Sequence, residues 1–158
     1  MVKVRRAVDA DAAAIAAVHV RSWQAAYRGI IPDEVLDTLS IAEREARWHE
    51  RIAVPRAVIL VAERDGDVVG FCGAVGGEIA ALYVDPPAWR EGLGSALLTA
   101  TVNALRAGGA VHVTLWVYEA NDRARAFYAR HGFAPDGATQ TDERGVPELR
   151  MQRAAGIL

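Results

Sequence analysis

Arg90, Gly92 and Gly94 lie within one stretch, Leu82–Ala100 (LYVDPPAWREGLGSALLTA), and their types and spacing suit an anion. Leu82-Tyr83-Val84 is apolar and β-prone, and Asp85-Pro86-Pro87 ends it, because proline cannot supply ladder N–H donors. Gly92-Leu93-Gly94-Ser95 then opens a run with helical spacing. Free N–H groups and the positive dipole end at a helix start attract phosphate oxygens, and glycine lets a ligand approach the backbone. Arg90 adds a fixed positive charge. A P-loop is excluded, since the chain's single lysine is Lys3, far from this loop. A dinucleotide fingerprint is excluded because Leu97 stands where its third glycine belongs. A pyrophosphate loop of the x-x-x-G-x-G kind remains, beside a plain tight turn from strand to helix.

Other chemically capable residues are more ambiguous. Glu78 is the acid within the strand that leads into the loop; it is either a proton acceptor or a surface charge at a strand start. Cys72 sits in an alternating strand and reads as core, with no base next to it in sequence to make it a nucleophile. His19, His49, His112 and His131 show no metal-ligand spacing, and no metal site is expected. His19, Trp23 and Tyr27 recur at i, i+4 and i+8 on one helix face, which either packs on the sheet or walls a pocket. Asn121 precedes a helix and is a natural N-cap.

The elements that must carry these residues alternate along the chain. Val2–Val8 reads as a strand, and Asp9 or Asp11 as the cap of a helix running to about Tyr27. Gly29 breaks that helix, Pro32 starts a short one, and Ser40-Ile41-Ala42-Glu43 is a capping box for a helix to about Ile52. Strands Ala57–Arg64 and Val68–Val75 flank the turn Asp65-Gly66-Asp67, and Gly76-Gly77 turns into Glu78–Val84. A helix from about Leu93 to Ala107 stops at Gly108-Gly109. Val111–Tyr118 alternates, with Val111, Val113, Leu115 and Val117 on one face. A helix spans Asn121–His131 and stops at Gly132; a strand from Phe133, a turn at Glu143-Arg144-Gly145 and a strand Val146–Arg153 follow.

With 158 residues the chain is one domain's worth, residues 1–158, long enough to bury a core. Its net charge of −2 gives no general nucleic-acid or polybasic membrane surface. A single cysteine forbids an internal disulfide and fits a reducing compartment, so the cytoplasm is expected. The Ala-rich stretch Ala12–Val20 is too short to span a membrane, and Asp9, Asp11, His19 and Arg21 argue against a signal peptide.

Two blocks taken together, LYVDPPAWREGLGSALL and N-x-x-A-x-x-F-Y-x-x-x-G-F from Asn121 to Phe133, resemble the GNAT superfamily of acetyl-CoA-dependent N-acetyltransferases. The resemblance implies an α/β (α+β) fold: a mixed, mostly antiparallel twisted sheet of six to seven strands with about four helices on both faces. Its central strands, here Glu78–Val84 and Val111–Tyr118, would splay apart. It also implies acetyl-CoA as co-substrate. The backbone of Leu82, Tyr83 and Val84 would pair with the pantetheine arm, and the N–H groups of Arg90, Glu91, Gly92, Leu93, Gly94 and Ser95 would hold the pyrophosphate, with Asn121 and Tyr128 beside the cofactor. Tyr128, in the family's F-Y position, would be the acid for the leaving thiolate, and Glu78 the base. Trp23, Tyr27, Glu78 and Trp116 would face an amine acceptor, a small molecule or a peptide, and a homodimer is left open. Trp89 departs from the family pattern, which often has Gln or Arg three residues before the first loop glycine.

Overall fold

The computed structural model describes residues 1–156. Seven strands form one sheet: β1 (Val2–Arg6), β2 (Val58–Arg64), β3 (Asp67–Val75), β4 (Glu78–Val84), β5 (His112–Tyr118), β6 (Ala134–Thr141) and β7 (Pro147–Ala154). The spatial order is β1-β2-β3-β4-β5-β7-β6, and every neighbouring pair is antiparallel except β4 and β5. Five α-helices accompany it: α1 (Ala12–Ala26), α2 (Asp33–Asp37), α3 (Ile41–Ile52), α4 (Leu93–Ala107) and α5 (Asp122–Arg130). This is the mixed, largely antiparallel fold expected from the sequence. Among the described residues no helix is long and apolar enough to cross a membrane.

Alternation along the strands divides the core into two layers. Ile15, Ala16 and Val18 of α1 and Trp48 of α3 pack on Ile59, Val61, Phe71 and Ala81 on one face of the sheet. Leu97, Leu98, Val102 and Leu105 of α4 pack on Leu60, Cys72, Leu115 and Met151 on the other, with Phe127 and Tyr128 of α5 against the same cluster. Full burial of a side chain of this size contributes about 1.5–3 kcal/mol, so the apolar stripes of α1 and α4 are what hold the layers.

Between β3 and β4 the register steps from Gly73↔Ala81 to Ala74↔Ile79, leaving Ala80 as the extra residue of a bulge. The bulge breaks the two-residue period. Ile79 faces the α4 layer with Leu82 and Val84, whereas Ala81 and Tyr83 face the α1 layer. It also sits where the central pair parts: β4 and β5 are joined only at Glu78↔Thr114 and Ile79↔Leu115. Beyond that point the strands diverge, as the resemblance implied.

Several local expectations are corrected. Neither Asp9 nor Asp11 caps α1 through its side chain. Asp11 instead accepts the Val8 N–H at 2.8 Å and a forked pair of bonds from Arg5 at 2.8 and 3.0 Å, while Asp9 meets His49 Nδ1 at 2.6 Å. A nearly buried carboxylate is better satisfied by a guanidinium than by helix N–H groups alone. That turn also ends β1 at Arg6, short of Val8. Val111 precedes β5 and is exposed, because the chain is still leaving the Gly108-Gly109 turn. Ser40 does cap α3, accepting the Glu43 N–H at 3.2 Å.

Candidate active site

Two departures from ordinary backbone, separated by one residue, shape the loop between β4 and α4. Arg90 has φ 67° and Gly92 has φ 81°, both in the left-handed region. A Cβ at Gly92 would meet nothing within 4 Å, so the dihedral, not space, calls for glycine there. The first helical bond is Ala96 N–H to Gly92 O at 3.1 Å. Among the described residues no backbone oxygen accepts the N–H groups of Leu93, Gly94 or Ser95, which is the unfilled donor set of a helix N-terminus. The Leu93 side chain is buried and Glu91 turns toward Arg64, so both offer the loop only their backbone. Gly94 differs from the expectation of a ligand approaching its α-carbon: a Cβ there would lie 3.4 Å from Phe127 Cζ, so glycine serves the packing of α5 against α4.

Trp89, the departure from the family pattern, donates its indole N–H to Val84 O at 2.6 Å, and Arg123 lies over its ring at 4.6 Å. Ser22 Oγ donates to the same carbonyl at 3.0 Å. A carbonyl has two lone pairs, so strand-like pairing along Leu82–Val84 has to do without the Val84 oxygen or displace one of these donors.

The divergence of β4 and β5 opens a cleft of about 690 Å³ that runs from the loop to the far ends of β5, β6 and β7. Tyr128 lines it, wedged between Phe127 and Phe133 with ring centroids 5.3 and 5.7 Å away. Burial pushes its phenol well above the ordinary value, so the group is a proton donor at any working pH. Among the described residues its hydroxyl has no hydrogen-bond partner. Nor is it a sealed-off polar atom, since Trp23 Nε1 alone has that status, so the hydroxyl opens to the cleft. Asn121 accepts the Ala124 N–H at 3.1 Å through Oδ1 and also lines the cleft, which leaves its amide N–H groups for a ligand. Cys72 is fully buried, and burial holds its thiol up at about 12, as a core residue's would be.

The far end is aromatic and phenolic. His19 stacks on Tyr83 at 5.2 Å and accepts the Trp48 N–H at 3.2 Å; burial lowers its ring to about 3, so it is a neutral core group. Tyr27 and Tyr83 hydroxyls are 2.9 Å apart, and Tyr118 donates to Asp142 Oδ2 at 2.8 Å. Trp23 and Tyr27 line the cleft while His19 does not, so the helical stripe is both sheet packing and pocket wall. Glu78 lies on the lining but is exposed at the start of β4, and Trp116 is half-buried beside Arg150. Sequence reasoning missed Ser22, Trp89, Tyr118, Gln140 and Glu148, all of which line the cleft. The alternation that pairs Tyr118 with Trp116 was the available signal for Tyr118; nothing local singled out Glu148.

The sequence profile of the acetyltransferase (GNAT) family matches residues 19–133. The chain belongs to that family. The uncharacterised N-acetyltransferase YuaI of Bacillus subtilis is 34% identical over 77% of this chain and 74% of its own length. The peptidyl-lysine N-acetyltransferase YjaB of Salmonella typhimurium is 30% identical over 93% of each chain. Among solved structures, the PaiA N-acetyltransferase of Thermoplasma acidophilum in complex with coenzyme A superposes with a TM-score of 0.83 at 20% identity, covering 98% of this chain and 99% of that one.

This GNAT chain is thus an acetyl-CoA-dependent acyltransferase. Its residues fit the co-substrate on their own geometry: unfilled N–H donors follow a left-handed turn, the β4 edge is unpaired after Ile79, and a phenol faces the gap. Along the cleft this GNAT fold brings together Leu82–Val84, Arg90, Gly92–Ser95, Asn121, Tyr128, Trp23, Tyr27, Glu78 and Trp116. Of the expected positions only Glu91 stands outside the lining.

Proposed function

We propose that the protein transfers the acetyl group of acetyl-CoA directly to a primary amine of a small molecule. The observation that carries this reading is the Tyr128 hydroxyl, unpartnered among the described residues and lining the gap between β4 and β5. In this reading the N–H groups of Leu93, Gly94 and Ser95 hold the pyrophosphate, with the Arg90 charge beside them. The edge of β4 after the bulge orients the pantetheine arm, and Asn121 adds an amide contact. When bound, acetyl-CoA supplies an activated acyl group on sulfur. Tyr128 donates its proton to the departing thiolate, whose reference pKa of about 8.5 makes it a leaving group that benefits from an acid. Burial, which keeps the phenol protonated, supports that role. Trp23, Tyr27 and Trp116 exclude water around the acceptor. The single cysteine fits a cytoplasmic location.

A lysine side chain of a peptide is the second reading. It is favoured by the name of the YjaB relative, which matches along nearly the whole chain. Thiol release from acetyl-CoA, followed with small amines, diamines, amino acids and lysine peptides, tests both. Release with small amines is expected, and release with lysine peptides alone would favour the second reading. No release with any of them, with coenzyme A bound in calorimetry, would make the protein a non-catalytic acyl-CoA-binding module and overturn the proposal.

A further inference from the structure

Resting on the amine-acceptor reading, we propose that Glu148, on β7, is the base that takes the proton from the acceptor's ammonium. Glu148 lies directly opposite Tyr118 in the β5–β7 ladder and opposite Gln140 in the β6–β7 ladder. All three line the acceptor end of the cleft. The carboxylate is half-buried, and its protein hydrogen bond comes from a neutral donor, Gln140 Nε2 to Oε1 at 3.1 Å. The neighbouring cations are engaged elsewhere: Arg150 with Asp136 at 2.6 Å, and Arg144 with Asp142 at 3.4 Å. Tyr118, Tyr83 and Asp142 are the other titratable groups that face it. Among the described residues, then, a half-buried carboxylate has no cationic partner and one oxygen without a bond, in an aromatic-walled cleft. That arrangement is completed by an ammonium.

Burial, with Asp142 nearby, raises the Glu148 carboxyl above its ordinary value, which makes it a stronger base than an exposed one; the Gln140 bond opposes the rise. Glu78, by contrast, is exposed at the opening of β4, and its carboxylate makes no hydrogen bond among the described residues. The step balances. The ammonium gives one proton to Glu148, and the nitrogen lone pair forms a C–N bond at the thioester carbonyl. The C–S bond then breaks, the sulfur takes the Tyr128 proton, and the phenolate takes the second proton from nitrogen. Glu148 returns its proton to water.

The test compares Glu148→Gln with Glu78→Gln, using butylamine, putrescine and a lysine amide as ionised acceptors and hydroxylamine as one already neutral at pH 7. Gln can keep the contact with Gln140. Glu148→Gln should lower kcat/KM for the alkylamines on the order of 10²-fold at neutral pH. The deficit should shrink as pH rises toward the amine's own pKa, stay small for hydroxylamine, and be partly restored in Glu148→Asp. Equal losses for ionised and neutral amines at every pH, or the pH-dependent loss appearing in Glu78→Gln instead, would overturn the assignment. Calorimetry of the coenzyme A complex with the same alkylamines reads the site without turnover. Amine affinity should fall at least tenfold in Glu148→Gln with coenzyme A affinity unchanged. Unchanged amine affinity, or no amine binding to the wild type, overturns it. Absent thiol release with Glu148-dependent amine binding defeats the transfer reading and leaves the ammonium site standing.

Discussion

The two ends of the cleft are built in different ways. At the loop end, the proposed ligand groups are backbone N–H donors from one contiguous stretch, Leu93–Ser95, set by the left-handed Arg90 and Gly92 and a helix start. At the acceptor end they are side chains drawn from α1, β4, β5, β6 and β7, and most of them are aromatic or phenolic. The first construction tolerates changes of side chain so long as the backbone holds its shape. The second depends on every strand keeping its register, because a one-residue slip would turn Tyr118 or Glu148 away from the cleft. The loop end is therefore sensitive to dihedral angles, and the acceptor end to individual functional groups.

Tyr128, between the two ends, should give the largest single effect. Tyr128→Phe keeps the ring packed between Phe127 and Phe133 and removes only the donor. If thiolate expulsion limits the rate, kcat and kcat/KM should fall together by about 10²–10⁴-fold, with KM for acetyl-CoA nearly unchanged. A thioester with a more acidic thiol should recover part of the loss. A raised KM with kcat intact would move Tyr128 to the binding side and blur the division.

Gly92→Val should act at the other end. A β-branched residue at φ 81° is strained by about 1–2 kcal/mol or more, so coenzyme A affinity should drop roughly tenfold in calorimetry while the folded state persists. Gly94→Val tests the link between the ends. Its side chain would press on Phe127, next to Tyr128, so kcat should decline along with affinity. A pure affinity loss would return Gly94 to the loop alone.

A neutral His19 makes the acceptor wall sensitive to acid. Its ring is lowered from 6.5 to about 3 by burial, then by Arg44 and Arg51. Between those pH values the unfolded chain binds a proton that the folded one does not, so stability is lost as pH falls from about 6.5 toward 3. The expected slope from this one group is at most about 1.4 kcal/mol per pH unit. Thermal melts across that range should be flatter for His19→Gln than for the wild type; parallel curves would show that other groups carry the acid loss. The smallest effect is expected from Glu91→Ala. Its side chain only pairs with Arg64 at the surface, where such pairs contribute about 0–1 kcal/mol, so coenzyme A affinity should stay within a few-fold.

The order of strands and helices, the loop and the position of Tyr128 are legible in the amino-acid sequence alone. Each of these is written in local chemistry: glycine spacing, proline stops, the Ser40 and Asn121 caps, and two- or 3.6-residue periods. It also carried the family through two contiguous blocks. Which faces those residues present is set by the assembled sheet. The bulge at Ala80 reverses the alternation along β4, a shift that arises from pairing with Gly73 and Ala74 and leaves no mark in ILE-ALA-ALA-LEU as a local pattern. Trp89 became a donor to Val84 because the turn at Pro86–Ala88 folds it back over the strand end. Glu148 and Gln140 reach Tyr118 through ladder pairs that join residues 30 positions apart in one case (148 − 118), and such non-local pairings are set by the register of the assembled sheet, not by neighbours in the chain.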